Sequence, residues 1–214
     1  MAKLKALIIP VTPFQQNCSL IFDEGTKRGA IVDPGGDVPN ILKAIEQSNV
    51  KIEKILLTHG HIDHAGGAAE LRDALGVKIE GPHPDDLFLL DDLPRSGAKY
   101  GMVDARIVAP DRWLNEGDEV MVAGLKFSIL HAPGHSPGSV VFFNDENRFA
   151  LMGDVLFQGS VGRTDFAYGN TETLMKSIRE KVLPLGDDVV FLPGHGPASQ
   201  IGVERKTNPF IQGL

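Results

Sequence analysis

Along most of the chain, apolar residues come in short runs separated by turn formers. Leu4–Val11, Ser19–Phe22 and Ala30–Val32 are such runs and predict strands, with Gly25-Thr26-Lys27-Arg28-Gly29 as the turn between the last two. Asp33-Pro34-Gly35-Gly36 breaks the series. The spacing then changes. Val38, Ile41, Leu42 and Ile45 fall three or four apart, which predicts a helix over Val38–Gln47. Lys54–Leu57 reads as a short buried strand. Ala65–Leu75 reads as a helix that packs through Ala68, Ala69, Leu71 and Leu75 and is capped by Gly76. Val77–Ile79 is a further strand. Residues 82–103, acidic and proline-containing, read as an insertion near the site with one short helix at Asp85–Leu90.

The second half repeats this style. Glu119–Ala123 and Lys126–Leu130 flank Gly124 as a hairpin, and Val140–Phe143 and Phe149–Met152 flank the polar turn Asn144-Asp145-Glu146-Asn147. Thr171–Leu183 has Leu174, Ile178, Val182 and Leu183 on one helical face. Val189–Leu192 is a last strand, and Ile201–Lys206 a short helix. Two similar halves predict an α/β chain of two sheets packed face to face with helices outside. No Gly/Ser-rich or charged linker divides them, so residues 1–214 are expected to form one domain.

Composition narrows the function. With a net charge of −7, the chain offers no basic stripe for nucleic acid or an anionic membrane surface. No run approaches the ~20 apolar residues of a membrane span. The apolar N-terminal run is stopped by Pro10, and no signal-peptide cleavage site follows. The single cysteine, Cys18, can form no internal disulfide and reads as a buried structural thiol. A cytoplasmic protein, monomeric or a small homo-oligomer, is expected.

Five of the seven histidines sit at strand ends or in glycine-flanked turns. His59, His61 and His64 share one turn with Asp63. His135 and His195 each follow Pro-Gly, and Asp154 follows Gly153 after a strand. Imidazole nitrogen and carboxylate oxygen suit zinc, iron or manganese. In an extended segment, alternate residues 59 and 61 face one side. The chain then turns, so 63 and 64 can face a second ion, and Asp154, with two oxygens, can bridge both. Such a pair activates water and stabilises a carbonyl oxyanion, the chemistry of ester, thioester, lactone, amide or phosphoester hydrolysis. His83, between prolines, reads as a surface loop residue and His131 as core or support. Asp33, at a strand end, reads either as a hydrogen-bond partner of a ligand histidine or as a turn-forming residue. Trp113 is expected to pack the insertion onto the body.

Thr58-His59-Gly60-His61-Ile62-Asp63-His64, Pro133-Gly134-His135-Ser136-Pro137-Gly138, Gly153-Asp154 and Pro193-Gly194-His195-Gly196 together resemble the metallo-β-lactamase superfamily. That resemblance implies an αββα four-layer sandwich. It implies His59, His61 and His135 on a first ion, Asp63, His64 and His195 on a second, and Asp154 bridging. Asp63 and Asp154 are then the catalytic carboxylates. Asn17-Cys18, Val32–Gly36, Gly153–Phe157, Gly162-Arg163, Glu204 and Asn208-Pro209-Phe210 resemble the glyoxalase II group, the hydroxyacylglutathione hydrolases, and above all its short YcbL-type members. This implies two divalent ions, zinc foremost with iron or manganese fitting. The implied substrate is a glutathione thioester, S-D-lactoylglutathione, cut to D-lactate and glutathione by a metal-bridging hydroxide. Arg163, which alternatively reads as one arm of a surface salt bridge, and Tyr168 are the implied substrate contacts, with Tyr100 a weaker one. The short segment after His195 is not expected to form the helical C-terminal domain of full-length glyoxalase II. Arg163-Thr164-Asp165-Phe166 also resembles the persulfide dioxygenases, in which His59, His135 and Asp154 would hold one iron. An acyl-homoserine lactonase is a third reading.

Overall fold

The computed structural model describes residues 3–213 and builds two sheets face to face. The first is β1 (Leu4–Val11), β2 (Gln16–Asp23), β3 (Arg28–Val32), β4 (Lys51–Leu56) and β5 (Lys78–Glu80), in that order. β1 to β3 pair antiparallel, and β3, β4 and β5 run parallel. The second sheet contains β6 (Glu119–Val122), β7 (Leu125–His131), β8 (Val140–Asn144), β9 (Phe149–Gly153), β12 (Val190–Pro193) and β13 (Ser199–Gln200). Its order is β13-β12-β9-β8-β7-β6. A small hairpin, β10 (Leu156–Phe157) with β11 (Ser160–Val161), stands apart.

Side-chain alternation explains the layers. A strand sends successive residues to opposite faces, and here both faces are apolar. In β8, Val140 and Phe142 enter the core between the sheets while Val141 and Phe143 enter the outer core. In β9, Leu151 faces inward, and Ala150 and Met152 face outward. In β3, Ala30 and Val32 face inward and Ile31 outward. Helices therefore have to cover both outer faces. α1 (Val38–Ser48), α3 (Ala68–Leu75) and α4 (Leu87–Tyr100) bury Ile41, Ile45, Leu71, Leu90 and Leu93 against the first sheet. α5 (Thr171–Ser177) and α6 (Ile201–Thr207) bury Leu174 and Ile201 against the second. The result is the expected αββα sandwich. No helix among the described residues is long and apolar enough to cross a membrane.

Three segments depart from expectation. The helix expected over Ala65–Leu75 is two pieces, α2 (Ile62–Ala65) and α3. Gly66 and Gly67 intervene because they press on the turn after β3. A Cβ on Gly67 would lie 2.8 Å from the Pro34 oxygen, which accepts the Gly67 N–H at 2.9 Å. The helix at Thr171 continues past α5 as a π turn over Ile178–Val182 and a 3₁₀ turn over Leu183–Leu185. The largest departure is α4, fourteen residues long where a short helix within an insertion was expected. Pro94 removes one donor and crowds the preceding turn, yet Leu90 and Leu93, in the turn just before it, are fully buried. Tertiary packing outweighs the local cost. Trp113 is partly buried against this same core.

Phe127 is fully buried in the core between the sheets. Phe127→Ala should cost about 3–5 kcal/mol of stability, the range for large-to-small changes in a tight core. Urea unfolding should show a lower midpoint at unchanged slope. A loss under about 1 kcal/mol would contradict this placement.

Candidate metal centre

β3 and β4 run parallel, as do β9 and β12, and β7 runs the same way as β9 because β8 is antiparallel to both. The segments after these strands therefore gather along one edge of the sandwich. Backbone hydrogen bonds join them: Val140 N–H to the Thr58 oxygen, Gly194 N–H to the Gly153 oxygen, and Asn17 N–H to the Gly194 oxygen, each at 2.8 Å.

Two clusters of ligating atoms result. His59 Nε2 and His135 Nε2 lie 3.0 and 2.9 Å from His61 Nδ1. The other nitrogen of each ring is engaged outside the cluster. His59 Nδ1 is 3.0 Å from Thr58 Oγ1, which donates to Asp33 at 2.6 Å and so accepts from the ring. His135 Nδ1 donates to the Arg163 carbonyl at 2.8 Å, and His61 Nε2 is hydrogen-bonded to the Tyr168 hydroxyl at 2.8 Å. Thr58 and the Arg163 carbonyl fix the tautomers of His59 and His135, with Nε2 of each unprotonated and aimed at His61 Nδ1. Three ring nitrogens then converge, an arrangement that suits a cation. All three rings are held neutral. Burial, then neighbouring histidines, depresses His59; burial, then His135, brings His61 down to about 3; burial lowers His135.

The second cluster is Asp63, His64 and His195. Asp63 Oδ2 lies 3.2 Å from His195 Nε2 and 3.8 Å from His64 Nε2. His64 Nδ1 donates to Asp33 Oδ2 at 2.9 Å, so its Nε2 faces the cluster. Asp154 stands between the two sets. One oxygen is 3.4 Å from His64 Nε2; the other is 3.5 Å from His135 Nε2 and 3.6 Å from His195 Nε2. His64 Nε2 and Asp154 Oδ1 are buried and lack any hydrogen-bond partner. Buried polar atoms are rarely left so, and a bound cation would satisfy both. These histidine and aspartate clusters suit two metal ions. Burial would raise Asp63 and Asp154, but His64 and its neighbours hold both below the usual carboxylate range. Gly194 is required here: a Cβ would sit 2.1 Å from Asp154 Oδ1.

The clusters form the floor of a cavity of about 1100 Å³, at the upper end of the ~300–1,000 Å³ usual for ligand sites. Arg163, Tyr168 and Tyr100 all line it. Arg163 also makes a two-pronged ion pair with Asp165 at 2.7 and 2.8 Å. Burial pushes the Tyr168 phenol up to about 12, so it stays protonated. His83 and His131 lie outside these clusters and stack on each other, with ring centres 3.9 Å apart and planes 13° apart. With Asp85 they form a separate group of ligating atoms within 4.8 Å of one another. Cys18 is fully buried and its thiol is raised by burial.

Sequence reasoning missed Asp86. It is fully buried and accepts from Gly60 N at 2.8 Å, Ser136 Oγ at 2.8 Å and Gly138 N at 2.6 Å. It thus ties the His59–His61 loop to the His135 loop, and burial lifts its carboxyl to about 6. Its partners are far away in sequence, so no spacing signals it. Glu204 and Asn208 are also placed. Glu204 accepts from Gly159 N at 2.7 Å, and Asn208 Nδ2 donates to the Ser160 oxygen at 3.0 Å. Together they brace the β10–β11 hairpin, whose Phe157 and Ser160 line the cavity.

A family model described as the metallo-β-lactamase superfamily matches residues 11–195. The chain belongs to this superfamily. Over 205 residues it is 48% identical to hydroxyacylglutathione hydrolase GloC of Haemophilus influenzae, covering 95% of this chain and 96% of that one. The solved B3 metallo-β-lactamase BLEG-1 superposes with a TM-score of 0.90 at 33% identity, covering 98% of this chain and 100% of the other. TTHA1623, solved in a di-iron-bound form, gives 0.85 at 35% identity, with 95% and 99% covered. As a superfamily member the chain is a metal-dependent hydrolase.

In the ion-free protein, burial would lower His64 and His195, but the carboxylates raise both: Asp154 and Asp63 around His64, and the hydrogen bond that His195 donates to Asp63. Raised histidines hold protons up to a higher pH, and a metal has to displace them. Uptake at the second cluster should therefore release protons at pH 7 and weaken as pH falls. Calorimetric metal titration in two buffers of different ionisation enthalpy should show buffer-dependent heats. Identical heats would contradict this account.

Proposed function

We propose that this metallohydrolase cleaves glutathione thioesters, with S-D-lactoylglutathione giving D-lactate and glutathione. The observation that carries the reading is Asp154, shared between two ligand clusters at the floor of a cavity roomy enough for a tripeptide thiol. The 48% identity to a hydroxyacylglutathione hydrolase supports the substrate class. His59, His61 and His135 would hold one ion, and Asp63, His64 and His195 the other, with Asp154 between them. We assign zinc first, iron or manganese also fitting the donors. Bound ions supply Lewis acidity that activates water and polarises the thioester carbonyl. The cytoplasmic setting and a single domain over 1–214 belong to the same proposal.

The chain's own groups do the rest. The ionised carboxylates of Asp63 and Asp154 orient the attacking water through its protons. Asp33 and Thr58 hold His64 and His59 in the tautomers that face inward. Tyr168, hydrogen-bonded to His61 and kept protonated, lines the cavity and is assigned to donate its O–H to the carbonyl oxygen as charge develops there. Water adds to the carbonyl carbon, the carbon–sulfur bond breaks, and the thiolate leaves and takes up a proton. Arg163, at the cavity wall, is assigned to an anionic part of the substrate.

The rival is a one-iron persulfide dioxygenase, and the complete second cluster with its orphaned His64 nitrogen argues for two ions. Purified protein should hydrolyse S-D-lactoylglutathione and carry close to two metals per chain. A single iron, O₂ consumption on glutathione persulfide and no thioesterase activity would overturn the proposal. Asp154→Asn should lower kcat/KM by more than about 100-fold and reduce metal content, since even partners of metal ligands cost 10–100-fold. Unchanged turnover would remove Asp154 from the site.

A further inference from the structure

Helix α4 forms one wall of the cavity and presents Asp92, Arg95, Ser96 and Lys99 to it. Three cations in all reach the cavity: Arg95, Lys99 and Arg163. Two are already paired. Arg95 Nε donates to Asp92 at 2.6 Å, and Arg163 is held by Asp165 with its guanidinium 4.6 Å from the Phe166 ring centre. Lys99 differs. Among the described residues no carboxylate lies within 4.0 Å of its ammonium, which stands 5.1 Å from the Tyr100 ring centre. Tyr100 in turn meets Phe14 edge-on at 5.3 Å, making an aromatic ledge beside that charge.

A chain of net charge −7 repels anions at long range. An uncompensated ammonium on the wall of this cavity reverses that locally. The acyl group of a thioester has to sit on the floor, against the ligand clusters, and α4 is one of the walls beside which the thiol half extends. We infer that Lys99 is a specificity residue that pairs with a carboxylate of the thiol half and favours anionic over neutral thioesters. This rests on the thioester reading above. A lysine in the last turn also suits the helix dipole, so the test has to separate recognition from helix support.

Exposed ion pairs contribute modestly to affinity, and pairs in less polar surroundings contribute more. The expected change is accordingly about 5-fold. Two substrates are compared, S-D-lactoylglutathione and the lactoyl thioester of N-acetylcysteamine, which has the same acyl group and no carboxylate on its thiol. In Lys99→Gln, the ratio of kcat/KM for the anionic over the neutral thioester should fall about 5-fold, with the loss in KM. Lys99→Arg should restore it, and 0.5 M salt should shrink the difference between wild type and variant. An unchanged ratio, including an equal loss on both substrates, would overturn the assignment in favour of helix support. If the wild type hydrolyses neither thioester, the function reading fails separately. Calorimetric binding of glutathione itself then decides the subsite: weaker binding by Lys99→Glu supports it, and equal or absent binding overturns it.

Discussion

Three imidazole nitrogens crowd together at about 3 Å, and a buried carboxylate oxygen with no donor is costly. Both conditions occur at the same sandwich edge. The rest of the architecture tolerates them because each histidine is held from behind by a hydrogen-bond partner: Thr58, Tyr168, the Arg163 carbonyl or Asp33. A rotation that relieved the crowding would break those bonds. The protein thus stores an arrangement that only cations complete, and the neutral state of the first three histidines follows from burial in it.

Layer packing makes that arrangement possible. Strands buried on both faces form a stiff pair of sheets, and their parallel members deliver ligand-bearing loops to one side. Asp86 reaches in from the start of α4 and clamps two of those loops through three short hydrogen bonds. The same helix then continues as a wall of the cavity. Anchoring the metal loops and shaping the substrate space are therefore coupled through one element, and changes in α4 act on both.

The cavity wall and its floor follow different physics. The floor is mostly buried, and its rings are held by hydrogen bonds from behind. The wall is half exposed, with Phe88, Tyr100 and Phe14 open to solvent and cations screened by water. A hydroxyacylglutathione hydrolase and a B3 metallo-β-lactamase are both similar to nearly the whole of this chain, so the shared fold alone does not set the substrate.

The sequence by itself determined the sandwich and the ligand candidates. Alternating or two-faced apolar runs dictate strands and layers, and β1 begins and ends where its pattern does. The ligands were legible because His59 through His64 are neighbours in the chain and the others sit in repeated Pro-Gly or Gly-Asp turns. Asp33 was legible as a strand-end carboxylate. Asp86 was not, since its three partners come from residues 60, 136 and 138, and only folding brings them together. Nor was α4, where Pro94 and the acidic residues argued locally for a loop while the buried Leu90 and Leu93 decided otherwise. The solitary charge of Lys99 is likewise a tertiary fact, because pairing depends on which side chains share a cavity. Local chemistry is written in spacing. Contacts between distant residues arise from packing, which reports only in three dimensions.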